Sequence, residues 1–169
     1  GDKWDQVTEH VNDNYFFIDM DKYNLEAVLR KGAELVKRKG IKCLVLDPFN
    51  KIRDTNANSD DVNRYTMDYL QKIETFCKKY DVLTFIVAHP TKMYKGQDGK
   101  IEEPTMYNIK GGGEWYDASY HGLLVHRDYE EKTVKAKVLK VKFQNLGEGH
   151  PSNMTTDISK QMFPLEVAT

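Results

Sequence analysis

An α/β domain with a mostly parallel sheet is the fold class this sequence predicts, and three observations predict it. Short apolar runs alternate with longer helical periodicities along the chain. Two of those runs, IKCLVLD at 41–47 and VLTFIVA at 82–88, are too continuously apolar to be half-exposed, so interior strands are expected there. Between them, Val62, Tyr65, Tyr69, Ile73, Phe76 and Tyr80 recur at three- and four-residue steps, the spacing of one helix face.

The elements follow in order. YFFI at 15–18, closed by Asp19, is expected as a first strand. Asn24 is placed to cap a helix reaching about Lys39, with Leu25, Val28, Leu29 and Val36 on one face and Gly40 as a left-handed stop. After the strand at 41–47, Asp60 and Asp61 open the next helix and Lys78 and Lys79 close it, and both charge ends suit the helix dipole. The strand at 82–88 leads into a polar stretch from Thr91 to Gly113, too long and aperiodic for a core element and expected as a functional loop or hairpin. A third strand is expected at 121–126 and a fourth at 133–143. In the fourth, the alternation of Val134, Ala136 and Val138 slips at Leu139 and resumes at Val141 and Phe143, which predicts a bulge.

Composition narrows the function classes. The 169 residues fit a single domain, and a 40% hydrophobic share excludes a disordered chain. Lys and Arg (25) nearly cancel Asp and Glu (26), so a nucleic-acid contact would have to come from local patches. Cys43 and Cys77 have no paired or metal-ligand spacing and are expected as buried free thiols in a reducing cytosol. No run approaches a membrane helix and the first residues carry no signal-peptide pattern, so a soluble cytoplasmic protein with no membrane partner is expected.

Four segments could carry chemistry. In LVLDPF (44–49) Asp47 ends a strand where an α/β sheet places ligands, and its carboxylate either holds Mg²⁺ through the ion's water shell or shapes a turn before Pro48. In FIVAHPTK (85–92) His89 occupies the equivalent strand end; alone it is an ordinary loop histidine, whereas beside Asp47 it can report a γ-phosphate. Gly111 to Gly113 allow positive φ or close backbone approach, or form a hinge without chemical consequence. In VLKVKF (138–143) Lys140 and Lys142 share a strand face, a pattern that by itself reads as a solvated surface. The phosphate-loop pattern GxxxxGK[ST] is absent, and Gly99-Lys100 lacks both its glycine spacing and its hydroxyl residue. No hydrolytic triad or HExxH zinc pattern is present.

Taken together and in order, these segments resemble the C-terminal part of the RecA-like motor domain in the replicative helicase family of DnaB, Twinkle and the phage primase-helicases, over roughly 15–167. The resemblance implies a RecA-like core, mostly parallel and flanked by helices, with C-terminal antiparallel strands and without the Walker A strand and loop. LVLDPF then corresponds to the Walker B strand, with Asp47 toward Mg²⁺, and FIVAHPTK to the strand of the sensor His89, with Lys92 just beyond. The loop from Met93 to Lys110 would line a central channel on single-stranded DNA, with Lys92, Lys95, Lys100 and Lys110 as its cations, diluted by Glu102 and Glu103, and ordered only on DNA. NLGEG (145–149) and FPLEV (163–167) look like the family's closing turn and strand. Lys140 and Lys142 fall where the family carries a lysine and an arginine finger toward the nucleotide of the neighbouring subunit; lysine at 142 loses the bidentate fork.

The resemblance also implies ATP and Mg²⁺ as cofactors of a hexameric, bacterial or phage-encoded parent, with little nucleotide binding or turnover by this chain alone. The family's Walker A strand lies between the strands at 82–88 and 121–126. In its absence those two are expected to pair directly or to recruit a strand from another copy, giving a strand-paired dimer. A RecA-like ATPase of plasmid-replication or recombination type, and a non-catalytic interaction domain retaining the fold, are the alternatives.

Overall fold

The computed structural model describes residues 2–52, 62–91, 103–128, 133–143 and 153–154. The chain divides into two compact units, Gly1–Asp61 with Asp68–Ala88, and Val62–Met67 with His89–Thr169.

The first unit contains helices α1 (Asp2–Asn14) and α2 (Leu25–Lys39), strand β1 (Cys43–Leu46), a 3-10 turn at Phe49–Lys51, most of α3 (Val62–Tyr80), and strand β2 (Leu83–Ile86). Helix α2 begins and ends as its sequence dictates: the Asn24 side chain accepts the Ala27 N–H, and Gly40 takes φ 69° while donating to the Val36 carbonyl. β1 and β2 pair in parallel, Cys43 opposite Leu83 and Leu46 opposite Ile86. Leu44, Leu46, Leu70, Ile73 and Phe76 are buried, and each such burial contributes on the order of 1.5–3 kcal/mol. Gly32 of α2 lies against both Phe76 and Leu44, so small size there lets helix, helix and strand meet.

Three expectations are corrected in this unit. Tyr15 to Ile18 form no strand; the segment leaves α1 unpaired, with Phe17 89% exposed, and turns around the Tyr23 hydroxyl, which donates to Asp19 Oδ1 and accepts from the Met20 N–H. A run of apolar residues makes a strand only when a neighbouring edge receives its hydrogen bonds. β1 and β2 are not buried on both faces: Cys43, Val45, Leu83 and Phe85 stand exposed on the opposite side from Leu44 and Leu46. A parallel sheet reads as interior only when both faces are covered, and here α2 and α3 supply residues that bury one. Cys43 is consequently exposed rather than buried, and Cys77 is half-buried, donating to Thr84 Oγ1 at 3.1 Å. Helix α1 carries Trp4, Val7 and Val11 at helical spacing, and all three are exposed.

The second unit contains the first turns of α3, a 3-10 turn at Met106–Asn108, helix α4 (Gly112–Ala118), and strands β3 (His121–Asp128), β4 (Thr133–Val141) and β5 (Asn153–Met154) in antiparallel order β3-β4-β5. The predicted bulge is present: Gly122 faces Lys140 and Leu123 faces Val138, leaving Leu139 as the extra residue. Met106 and Trp115 form its buried centre, and the Trp115 Nε1–H donates to the Lys110 carbonyl at 3.1 Å. The three glycines divide the work. Gly111 takes φ 82° as the residue before α4; Gly112 lies so close to Tyr107 that a Cβ would fall 2.3 Å from its carbonyl oxygen; Gly113 meets nothing.

β2 belongs to the two-stranded parallel sheet of the first unit and β3 to the antiparallel sheet of the second. Asp60, Asp61, NLGEG and FPLEV lie outside the described residues, and β5 at Asn153–Met154 had no signal in the sequence. Among the described residues no helix is long and apolar enough to cross a membrane.

Candidate functional site

Asp47 follows β1 directly and is exposed. Its turn is tied to the extension of β2 by two backbone bonds, Val87 N to the Leu46 carbonyl and Phe49 N to the Val87 carbonyl, each at 2.9 Å. The Phe49 ring then sets edge-on to Tyr69 of α3, with centroids 4.8 Å apart. The 3-10 turn and an aromatic anchor therefore hold the backbone on the far side of the aspartate. Because β1 and β2 are parallel, the strand end bearing Asp47 is also the end from which Val87 and Ala88 lead to His89.

A single exposed carboxylate at a strand end suits a cation held through water and is too little for direct capture. Among the described residues no group of three or more His, Cys, Asp or Glu side chains gathers into a metal cage.

His89 is exposed at the start of the second unit. Two residues on, Thr91 is clamped: its N–H and its Oγ1 both donate to the Asn108 carbonyl, at 2.7 and 2.9 Å. Asn108 Oδ1 in turn accepts from the Thr105 N–H and hydroxyl, at 2.7 and 2.9 Å. Thr91 and Asn108 are therefore held together by two hydrogen bonds. Lys92, Lys95 and Lys100 lie outside the described residues, while Lys110 is exposed. Glu103 is bound to Lys137 at 2.6 Å, an ion pair of β4 rather than a charge free to oppose the loop lysines.

Lys140 and Lys142 do not form the plain solvated face that their alternation implies. Lys140 is half-buried, its ammonium 4.4 Å from the Tyr116 ring centre and donating to the Tyr116 carbonyl. Lys142 lies 4.4 Å from the Tyr120 ring centre. Burial pushes the Lys140 pKa below the ordinary lysine range, repulsion from Lys142 adds to this, and Asp117 opposes it. Sequence spacing gives no sign of the tyrosines; Tyr116 lies in α4 and Tyr120 just before β3, and the fold of the second unit brings both to the lysines at the end of β4.

These placements can be set beside known proteins. No family model matches the chain. Over 134 residues, 78% of its length, the chain is 28% identical to the Twinkle homolog protein, chloroplastic/mitochondrial, of Arabidopsis thaliana. Its fold matches the ATPase domain of G40P with a TM-score of 0.67 over 90% of this chain, at 13% identity. The chain carries a RecA-like fold, and its sequence is similar to that of the Twinkle homolog. It spans 18% of the length of the Twinkle homolog and 56% of the G40P chain. The α/β class, the parallel pair and the C-terminal antiparallel strands of this RecA-like chain agree with what the motifs predict.

Proposed function

We propose that this chain is part of an ATP-driven helicase motor that moves on single-stranded DNA as a ring of subunits. The observation that carries the reading is the parallel β1–β2 pair, which delivers Asp47 and the approach to His89 to one sheet end in a chain similar to a Twinkle homolog.

In this reading Asp47 orients Mg²⁺ through its water shell, and the ion, when bound, neutralises charge on the nucleotide phosphates. His89 is the residue whose imidazole would hydrogen-bond a γ-phosphate, and Lys92, three positions on in the sequence, is a further candidate cation. Lys95 and Lys100 lie in sequence between the clamped residues Thr91 and Asn108, and Lys110 follows two residues after Asn108, so in this reading the clamp links the residue two positions from His89 to the DNA contacts. Lys140 and Lys142 reach a nucleotide held by the neighbouring subunit. With no GxxxxGK[ST] sequence, the chain lacks the backbone cradle for the phosphates and neither binds ATP tightly nor turns it over by itself.

The test uses a longer form of the protein that includes the sequence upstream of Gly1. Asp47→Ala is expected to lower its Mg²⁺-dependent ATP turnover on the order of a hundredfold or more. His89→Ala is expected to separate ATP turnover from strand displacement. Turnover without displacement of a DNA strand by the unaltered protein would favour an ATPase of plasmid-replication or recombination type. Absence of any turnover would favour a non-catalytic interaction domain.

A further inference from the structure

We propose that Tyr116 and Tyr120 are positioning residues that seat Lys140 and Lys142 as a preformed pair for the phosphate chain of a nucleoside triphosphate. This rests on the reading of the two lysines as phosphate contacts. It adds the reason lysine can serve where the resemblance leads one to expect arginine.

A lysine ammonium is a point charge on a flexible stem, whereas arginine brings a planar fork already organised for phosphate. Ordering a free lysine costs side-chain entropy that a weak contact does not recover. Here that ordering is done before any ligand arrives. Each ammonium lies 4.4 Å from a tyrosine ring centre, within the range of cation–π attraction. The rings are themselves held: Tyr107 stacks on Tyr116 with centroids 5.1 Å apart and planes 20° from parallel, and Tyr120 leans on Phe143 at 5.8 Å. The register is held too, since the Lys142 N–H donates to the Tyr120 carbonyl at 2.9 Å just beyond the bulge.

Among the described residues neither ammonium forms an ion pair with a carboxylate, Asp117 acting on Lys140 without one. Among the described residues the Lys140 ammonium, with three donors, gives one hydrogen bond, to the Tyr116 carbonyl. Lys142 is exposed, and the two like charges face each other's repulsion across one strand face. Lys137 on the same strand differs, being already bound to Glu103. A phosphate chain would relieve the repulsion at Lys140 and Lys142 and find both cations in place.

The experiment follows the lysine side-chain Cε resonances of the full 169-residue chain by NMR while inorganic tripolyphosphate is added. Saturable shifts at Lys140 and Lys142, larger than at Lys137, are expected. Tyr116→Leu and Tyr120→Leu should each weaken that binding about two- to fivefold, and Tyr116→Phe and Tyr120→Phe, which keep the ring, should bind as the unaltered chain does. If one leucine variant fails to fold, the other still reads the same question at its own lysine. No shift at either lysine in the unaltered chain would overturn the phosphate reading itself. Shifts that survive both leucine changes at full affinity would overturn the tyrosine role alone. A thymidine oligonucleotide that engages the two lysines more tightly than tripolyphosphate would overturn the assigned source of the phosphate.

Discussion

Gly111, Gly112 and Gly113 are adjacent and chemically identical, yet the structure asks different things of them, and substitution should separate them. At Gly112 an added methyl meets the Tyr107 backbone, which cannot swing aside as a side chain can. Gly112→Ala is therefore expected to lower stability by about 1–3 kcal/mol, a typical overpacking cost. Gly113→Ala, with open space around it inside α4, should raise it by up to about 1 kcal/mol through helix propensity. Urea denaturation of the two variants beside the parent chain checks both. Lys140 offers a pH signature. Its folded pKa is held below the unfolded value, first by burial and then by Lys142, so the charged form is disfavoured in the folded state. Stability should therefore rise as pH climbs from the lowered folded value toward the ordinary lysine value, and Lys140→Met should flatten that rise. Denaturation midpoints across the alkaline range measure it.

At the scale of elements, the uncovered face of the β1–β2 sheet is the feature with the clearest consequence. Val45 and Phe85 stand opposite each other in the register and are 57% and 44% exposed. Contiguous apolar surface of this kind favours association. Val45→Thr with Phe85→Thr is expected to reduce concentration-dependent self-association and dye binding while changing stability little, since neither residue is in the core; sedimentation and dye fluorescence test this. Lys95 and Lys100 carry the proposed DNA contact. In the longer protein, changing Lys95 or Lys100 to Ala should weaken single-stranded DNA binding and lower the salt slope by about 0.7 for each phosphate that is no longer neutralised.

At the scale of the whole molecule, α3 is the element common to both compact units, with Val62–Met67 in one and Asp68–Tyr80 in the other. A break in its middle should be felt in both. Asp68→Pro removes a helical hydrogen bond and clashes with the preceding turn, at a cost of about 3 kcal/mol or more. Amide hydrogen exchange should then show weakened protection in β1 and β2 and also around Thr66 and Trp115. An effect confined to one unit would mean that the two halves of the helix are held independently.

Much of the local architecture was determined by the sequence itself. Asn24 and Gly40 bound α2 through their own hydrogen bonds and φ preference, the Val62–Tyr80 periodicity makes α3, and the slip at Leu139 makes the bulge, because each is settled within a few residues of chain. The motif order around Asp47 and His89 was legible for the same reason. What covers a face and what meets across the fold was not. YFFI has the composition of a strand and finds no edge to pair with; IKCLVLD reads as buried on both sides and is covered on one. Lys140 and Tyr116 are 24 residues apart, and alternating lysines look solvated until α4, the turn before β3 and the end of β4 come together and seat each on a ring. Local periodicity specifies which residues share a face, and only tertiary packing specifies what that face meets.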